Sequence, residues 1–426
     1  MTIAKTLAIG AEAGPAGNRP GRRAAMVAHS FYPSDVRIRR EAVALHEAGW
    51  EVDVICLRGP GEAASALEDG IAVIRVPLGR RRGSRLRYLA EYGLAFGALA
   101  WSLDAAMRRR RYSVVQVHTL PDFLLFAALP ARWRGARLLL DMHEIAPEFY
   151  QQKYGVPASR LAVRALAAVE QRAMRAADAV ITVTDALRER FVSRGAPAQR
   201  ISVVMNAADE KLFPAGSGAS ASGRSVEKPL GLVYHGSLLP YYGVDVLLQA
   251  IGRVRSRWPF ELDVYGGGEA GEALGAAARD GGLGEAVRFH GTVAQTGLAA
   301  VLQRAGGGVV PTRGGPMLDL SLSNKLLEMA CIGMPIVASA LATYRRHLPD
   351  DCVVYAPPGD PDALAAALDR FAAMSAAERS ALARRAAARY REFSWDRQRE
   401  VYLGVVERLA ANDPDSRPSG RSPRDE

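Results

Sequence analysis

The run Gly314 to Ser339, GGPMLDLSLSNKLLEMACIGMPIVAS, concentrates the residue types that could do chemistry. A Gly-rich loop leads into a helix expected to start near Ser321 or Ser323, and Gly333-Met334-Pro335 closes that helix before a strand. A helix start fed by Gly-rich backbone offers N–H groups and a positive dipole end to a phosphate. Glu328, about two turns along by this reading, could accept two hydrogen bonds from a ribose diol. The physical idea is a sugar nucleotide lying across one helix start. Two further motifs carry less. Gly266, Gly268 and Gly271 fit G-x-G-x-x-G after a strand, but the acid that should follow on a second strand is missing, because Val287 to Phe289 carries Arg288. A tight glycine turn is the better reading. Asp360-Pro361-Asp362 has a D-x-D spacing that could hold a divalent metal, but Asp360 as helix cap with Pro361 in the first position explains it better. No metal site is expected.

The elements that must position these residues alternate. Ala24 to His29, Glu51 to Leu57, Val114 to His118, Leu138 to Asp141 and Ala179 to Val183 read as strands, with helices between, the first over Arg39 to Ala48. Leu230 to His235, Glu261 to Tyr265, Val287 to Phe289, Gly308 to Pro311 and Pro335 to Ser339 repeat the plan. Such alternation implies parallel sheets covered by helices. Between the halves, Ala215 to Lys228 (AGSGASASGRSVEK) has linker composition. The expected organisation is a tail at 1–23, a first domain at 24–210, a linker at 211–228, a second domain at 229–390, a helix at 391–411 crossing back to the first domain, and a tail at 412–426. Two doubly wound α/β domains would face each other across a cleft, with ligand at the carboxyl ends of the strands.

Charge and composition bound the partners. The chain has 426 residues, 55 Lys plus Arg against 45 Asp plus Glu, and 49% apolar residues, which is globular usage with an excess of +10. Ten Arg and two acids fall between Arg75 and Arg111, so that window alone carries +8. Arg80-Arg81-Arg82 and Arg108 to Arg111 bracket an apolar helix, with Leu86, Leu89, Gly93, Phe96, Ala100, Leu103 and Met107 on one side and Leu94, Leu99 and Trp101 on the other. Basic ends on an apolar helix suit an anionic membrane surface; no nucleic-acid motif accompanies them. Cys56, Cys331 and Cys352 have no disulfide or zinc spacing, and no signal-peptide or membrane-spanning run is present, so a reduced cytoplasmic protein is expected. It could be peripheral on the inner face of the plasma membrane.

Several ordered patterns together resemble the retaining glycosyltransferases of family 4, which have the GT-B fold of two Rossmann-like domains. These are HSFYPSDVRIRREAVALHEAGWEVDVI (His29 to Ile55), VVQVHTLPDF (Val114 to Phe123), LLLDMHE (Leu138 to Glu144), VITVTDALRERFVSRGAPAQRISVVMNAADEKLF (Val180 to Phe213), LVYHGSLLPYYGVDVLLQAI (Leu232 to Ile251), DVYGGGE (Asp263 to Glu269) and the Glu328 block. The resemblance spans roughly residues 24–410. It implies transfer of a sugar from a nucleotide diphosphate sugar to an acceptor hydroxyl, without a metal or cofactor, in envelope polysaccharide or glycolipid assembly, with a lipid-linked acceptor fitting the basic helix.

Residue by residue, the resemblance gives Glu328 the donor ribose and His118 the transferred sugar. Gly266, Gly267 and Gly268 would lie beneath the base, and Asn206 and Asp209 would form the interdomain hinge. Backbone amides from Gly314 and Gly315 through Asp319, Leu320 and Ser321 to Leu322, with Asn324 beyond, would cradle sugar and phosphates. Asp35 and Arg37 stand where the family has a Gly-Gly loop facing acceptor and phosphate, and His143 and Glu144 are acceptor-side or supporting residues. Two departures stand out. Leu320 replaces the first Glu of the family's E-x7-E, with Asp319 one residue early, and Ser237 and Tyr242 replace the usual Arg and Lys. A developing diphosphate needs a cation, so Lys325 is expected to supply it, with Arg313 the other candidate. These departures leave two alternatives: a non-catalytic sugar-nucleotide-binding subunit, or a GT-B sugar-nucleotide epimerase.

Overall fold

The structure is a computed structural model that describes residues 22–78, 85–214, 216 and 230–411, with residues 85–90 as backbone only. The chain divides into two units: Met1–Val204 with Arg399–Glu426, and Met205–Gln398. The division falls between Val204 and Met205. The expected linker at 211–228 and both tails lie almost wholly outside the described residues.

The first unit is built on an eight-stranded sheet: β1 (Arg23–Phe31), β2 (Glu51–Leu57), β3 (Ser65–Glu68), β4 (Ile71–Val76), β5 (Val114–His118), β6 (Arg137–Met142), β7 (Ala179–Thr182) and β8 (Ile201–Val203), in the order β3-β4-β2-β1-β5-β6-β7-β8. Every pair is parallel except β3 with β4. Met26, Val54, Val73, Val115, Leu139 and Val180 are fully buried along its centre. Strands covered on both faces need apolar residues on both, which is why they read as unbroken runs.

The second unit's sheet contains β9 (Leu230–His235), β10 (Phe260–Tyr265), β11 (Val287–Gly291), β12 (Gly307–Val310), β13 (Ile336–Ser339) and β14 (Val354–Ala356), all parallel, in the order β11-β10-β9-β12-β13-β14. That is the doubly wound order whose direction reverses between the first and fourth strands, here β9 and β12. In the first unit the reversal lies between β1 and β5.

Six helices matter below: α1 (Val36–Glu47), α2 (Arg85–Met107), α3 (Val244–Val254), α4 (Asn324–Ile332), α5 (Pro361–Ala373) and α6 (Trp395–Ala411). Leu247, Ile251, Leu368 and Phe371 bring α3 and α5 into one core with β9 and β10. The cap expected of Asp360 is present: its carboxylate accepts from the amides of Asp362 at 2.9 Å and Ala363 at 3.0 Å. Helix α1 starts three residues before the expected Arg39, because Asp35 caps it through the Arg37 amide at 3.2 Å.

The α2 region corrects the expectation of two apolar sides. Leu99 is buried with Ala95, Leu103 and Ala106, whereas Leu94 and Trp101 are exposed, at 65% and 63%. Nor is the Arg window evenly basic. Arg75 is buried in ion pairs with Glu62 and Glu68, Arg108 pairs with Asp104, and Arg110 pairs with Asp53. Arg80-Arg81-Arg82 lie outside the described residues, as do the side chains of Arg85 and Arg87.

Helix α6 begins at the end of the second unit and continues into the first. There the Tyr402 hydroxyl donates to Gln116 Oε1 at 2.6 Å, and Gln116 Nε2 donates to Glu41 Oε2 at 2.5 Å, all three buried. Arg399 pairs with Glu47 and Arg22 with Glu407. Among the described residues no helix is long and apolar enough to cross a membrane.

Candidate functional site

Each unit gathers polar groups at the reversal point of its own sheet. In the first, β5 and β6 run side by side with His118 opposite Asp141. His118 Nδ1 and Asp141 Oδ2 are 2.8 Å apart, and His143 Nδ1 lies 3.2 Å from the same oxygen. Both His118 and Asp141 are buried. Burial opposes charge on the imidazole, but the Asp141 hydrogen bond and charge outweigh it and raise the His118 pKa. Burial likewise opposes ionisation of Asp141, yet the charge of His143 and the hydrogen bonds from both imidazoles hold its carboxyl well below the usual range. His118 Nε2 is buried and has no hydrogen-bond partner among the described residues. The ligand atoms of His118, Asp141 and His143 lie within 4.8 Å of one another, close enough to share a metal ion, although both Nδ1 atoms already face the carboxylate.

Asp35 and Arg37 pair with each other at 3.3 Å, and Ser30 Oγ donates to Asp35 at 2.9 Å. Burial of Asp35 acts against its ionisation, and Arg37 and Ser30 overcome it, holding the carboxyl at about 2. Much of the hydrogen-bonding capacity of Asp35 therefore goes to the helix cap and to Arg37. Glu144 follows His143 and makes no hydrogen bond among the described residues.

The second unit's site forms where β9 ends at His235 and α4 begins. Ser323 stands at the N-cap of α4 without a side-chain cap bond, so the first-turn amides of Asn324 and Lys325 are not capped by it. The Lys325 ammonium sits 4.2 Å from the Tyr242 ring centre and 5.5 Å from that of Tyr234. Its stem fills the space beside Gly236, where a Cβ would meet Lys325 Cε at 2.4 Å. Burial lowers the Lys325 pKa to about 8, against the favourable charge of Glu328. Burial raises Glu328 to about 7, with Lys325 opposing. Glu328 Oε2 lies 3.5 Å from His235 Nε2. That contact is not an ion pair, because burial and then Lys325 push the imidazole down to about 3. Glu328 stands in the second turn of α4, about one turn from its start rather than two, because α4 begins at Asn324.

Arg313 pairs with Asp245 and so has its charge matched, whereas Lys325 pairs with aromatic faces. Asp319, one residue before the position of the missing acid, accepts the Gly315 amide at 3.1 Å and closes the loop around Gly314 and Gly315. The amides of Asp319, Leu320 and Ser321 also bond within this loop, so with Gly315 four amides of the run from Gly314 to Leu322 are spent on the loop itself, and the first-turn amides of Asn324 and Lys325 add donors beyond it. Gly266 to Gly268 form a close approach between two loops: Gly266 has φ +144° and a Cβ there would meet Gly236 O at 1.9 Å, while the Leu238 amide donates to Gly267 O at 2.9 Å. Sequence reasoning passed over Asp141, Glu41 and the role of His235. Asp141 and Gln116 were detectable as polar residues inside otherwise apolar strand runs.

Residues 34–207 match the family model of the glycosyl transferase 4-like domain, and residues 229–373 that of the glycosyl transferases group 1. A phosphatidyl-myo-inositol mannosyltransferase of Mycobacterium tuberculosis is 35% identical over 129 residues, which is 30% of this chain and 32% of the relative. A glycogen synthase of Mycobacterium tuberculosis is 30% identical over 178 residues, 41% of each chain. These matches thus span well under two thirds of the relatives' length. Among solved structures, sucrose-phosphate synthase from Thermosynechococcus elongatus superposes with TM-score 0.73 at 20% identity, over 92% of this chain and 99% of that one. Anabaena HepE in complex with UDP-glucose gives 0.68 at 16% identity, over 91% and 99%. The likenesses to solved structures establish the fold, and the two domain models, matching in order, place the chain among the glycosyltransferases of the GT-B fold and family-4 type.

Proposed function

We propose that the protein transfers a glycosyl group from a nucleoside diphosphate sugar to an acceptor hydroxyl, with retention at the anomeric carbon and without a metal. The observation that carries this reading is the presence of Lys325 and Glu328, each felt by the other's charge, at the uncapped start of α4. The helix start and the ammonium would receive the diphosphate, and Glu328 the ribose hydroxyls. Complexes of a structural neighbour with UDP and UDP-glucose make uridine the first base to test. In the reaction the anomeric C–O bond to the diphosphate breaks with its electron pair leaving on phosphate oxygen. The acceptor oxygen forms the new bond and its proton passes to the leaving diphosphate. His118, oriented by Asp141, would hold a hydroxyl of the transferred sugar through Nε2. The enzyme's part is positioning and charge stabilisation.

We also propose a lipid-linked acceptor at an anionic membrane, with the protein on its cytoplasmic face, in envelope polysaccharide or glycolipid assembly. Exposed Leu94 and Trp101 lie one above the other on α2, and Trp133, 87% exposed, follows Arg132 and precedes Arg134. Arg132 and Arg134 are matched by Asp178 and Asp104, so the exposed tryptophans and Leu94 carry the argument for the headgroup layer. Failure to bind anionic liposomes at low salt would remove this part alone.

The main test is thermal stability of the wild type and of Glu328→Ala with UDP, GDP, ADP and TDP. A nucleotide at about 100 times its Kd adds about 2.7 kcal/mol of stability. One nucleotide should protect the wild type and not the variant, and its sugar conjugate should be hydrolysed or transferred. Protection by none refutes the donor site. Protection without turnover of any conjugate favours a binding subunit, a reading that Leu320 and the Arg313–Asp245 pair support.

A further inference from the structure

The first unit holds a cavity of about 670 Å³ at the carboxyl ends of β1, β2 and β4. The register pairs Phe31 with Leu57 and Leu57 with Val76, so the three strands finish level. The next residues along the chain, Arg58 and Pro77, enter its wall with Phe31, Gly59, Pro60 and Glu62. Carboxyl ends of parallel strands are where open α/β sheets receive ligands, and the volume is that of a small-molecule pocket, about 300–1,000 Å³.

The charges in the wall are unequal in their commitments. Glu62 accepts the Gly59 amide at 2.7 Å and faces Arg75 Nε at 3.0 Å. Arg75 is buried, pairs also with Glu68, and donates to Tyr32 O at 3.0 Å. Arg58 is exposed, and its guanidinium has no hydrogen bond or ion pair among the described residues. Phe31, Pro60 and Pro77 supply the apolar part of the wall. An exposed guanidinium beside a cavity whose wall is part polar and part apolar is matched by a ligand with one anionic, bidentate group and an apolar or sugar-like body.

We propose that this cavity is the acceptor subsite and that Arg58 receives an anionic group, a phosphate first, carried by the acceptor. The inference rests on the transferase reading for the word acceptor; the anion site itself does not. A phosphate here could belong to a lipid headgroup or to a free sugar or polyol phosphate, and the two share the same recognition.

The test is titration of the full-length protein with glycerol 1-phosphate and with short-chain monomeric phosphatidylglycerol, with glycerol and the matching phosphatidylcholine as controls. Both phosphatidyl probes are kept below micelle formation. Arg58→Ala should weaken anion binding about tenfold or more, since a hydrogen-bonded charge contact is worth roughly that factor or above. Arg58→Lys should recover part of the loss. Binding of both anionic probes assigns the site to the phosphate itself, and binding of the lipid form alone assigns it to a headgroup. Binding of neither, or equal binding by Arg58→Ala, overturns the proposal. UDP protection measured on the same variants separates the two readings. If UDP protects neither wild type nor variant while Arg58-dependent anion binding persists, the donor reading falls and the anion site stands. If UDP protects both and anion binding is absent, the reverse holds.

Discussion

The two reversal points solve the problem of burying charge in opposite ways. In the first unit, His118 and Asp141 share a 2.8 Å hydrogen bond, and the pair is pushed toward its ionic form: the imidazole up, the carboxyl down. In the second, Lys325, Glu328 and His235 are crowded together without that bond, and all three are pushed toward neutrality, to about 8, about 7 and about 3. Burial disfavours every charge, and in the first cluster opposite charges together with hydrogen bonds reverse the sign. The Nδ1 side of the first cluster is therefore satisfied from within the protein, and His118 Nε2 is left over among the described residues. The second holds a lysine and a histidine whose positive charges a bound anion would favour, while the same anion would oppose ionisation of Glu328, which suits a site that meets a diphosphate with the lysine charged.

The comparison is open to attack from its strongest point downward. Asp141→Asn takes the carboxylate from both imidazoles. Turnover should fall by about 10²–10⁴, the usual contribution of a positioned proton-carrying or hydrogen-bonding group, and the His118 pKa, read by NMR, should drop below that of the wild type. An unchanged imidazole pKa would mean that Asp141 does not govern it.

Lys325→Ala should weaken UDP binding about 10- to 100-fold, as expected for a lost charge-assisted contact. Because Lys325 titrates near 8, wild-type affinity should decline as pH rises through that value, and the variant should lack this step. A flat wild-type profile between pH 7 and 9 would leave Lys325 without a role in charge recognition.

Glu328→Gln should bind UDP more weakly and yet be more stable at pH 8. The carboxyl titrates near 7 in the fold against 4.5 as its ordinary value, so the fold opposes its ionisation. The cost is fully present above pH 7 and disappears as pH falls below about 4.5, so the stabilisation of about 1–3 kcal/mol should vanish at pH 4. Denaturant melts at the two pH values would show it, and equal stability at both would place Glu328 in an ordinary solvated setting. Asp360→Ala, at a helix cap in the same unit but outside the cluster, should cost only about 1 kcal/mol and leave UDP affinity unchanged.

Legibility followed the strength of local patterning. Five of the six strands of the second unit were readable, β9, β12 and β13 as apolar runs and β10 and β11 through alternating apolar residues; β14 is three residues long and was not. The antiparallel β3, Ser65–Glu68, has no apolar run, because it lies at the sheet edge and is only partly buried. Glu328 and His118 stand out through motifs. Asp141, Glu41 and His235 matter through neighbours that arrive from other strands and helices, and no spacing along the chain encodes that. What separates Arg313 from Lys325 is also three-dimensional: Asp245, on α3, claims one cation, and two tyrosine rings shelter the other.

The contact of Tyr402 with Gln116 has a consequence for synthesis. Gln116 and Glu41 are made early, and their partner is made after nearly 200 further residues of the second unit have been translated. At about 5–20 residues per second, roughly 10–40 s pass in which a buried amide and carboxyl wait without the hydroxyl that completes them. The nascent first unit stays unfinished through that interval. A ribosome that stalls before Tyr402 therefore yields a chain defective in the unit it made first, and such truncated products are natural substrates for chaperones and proteases.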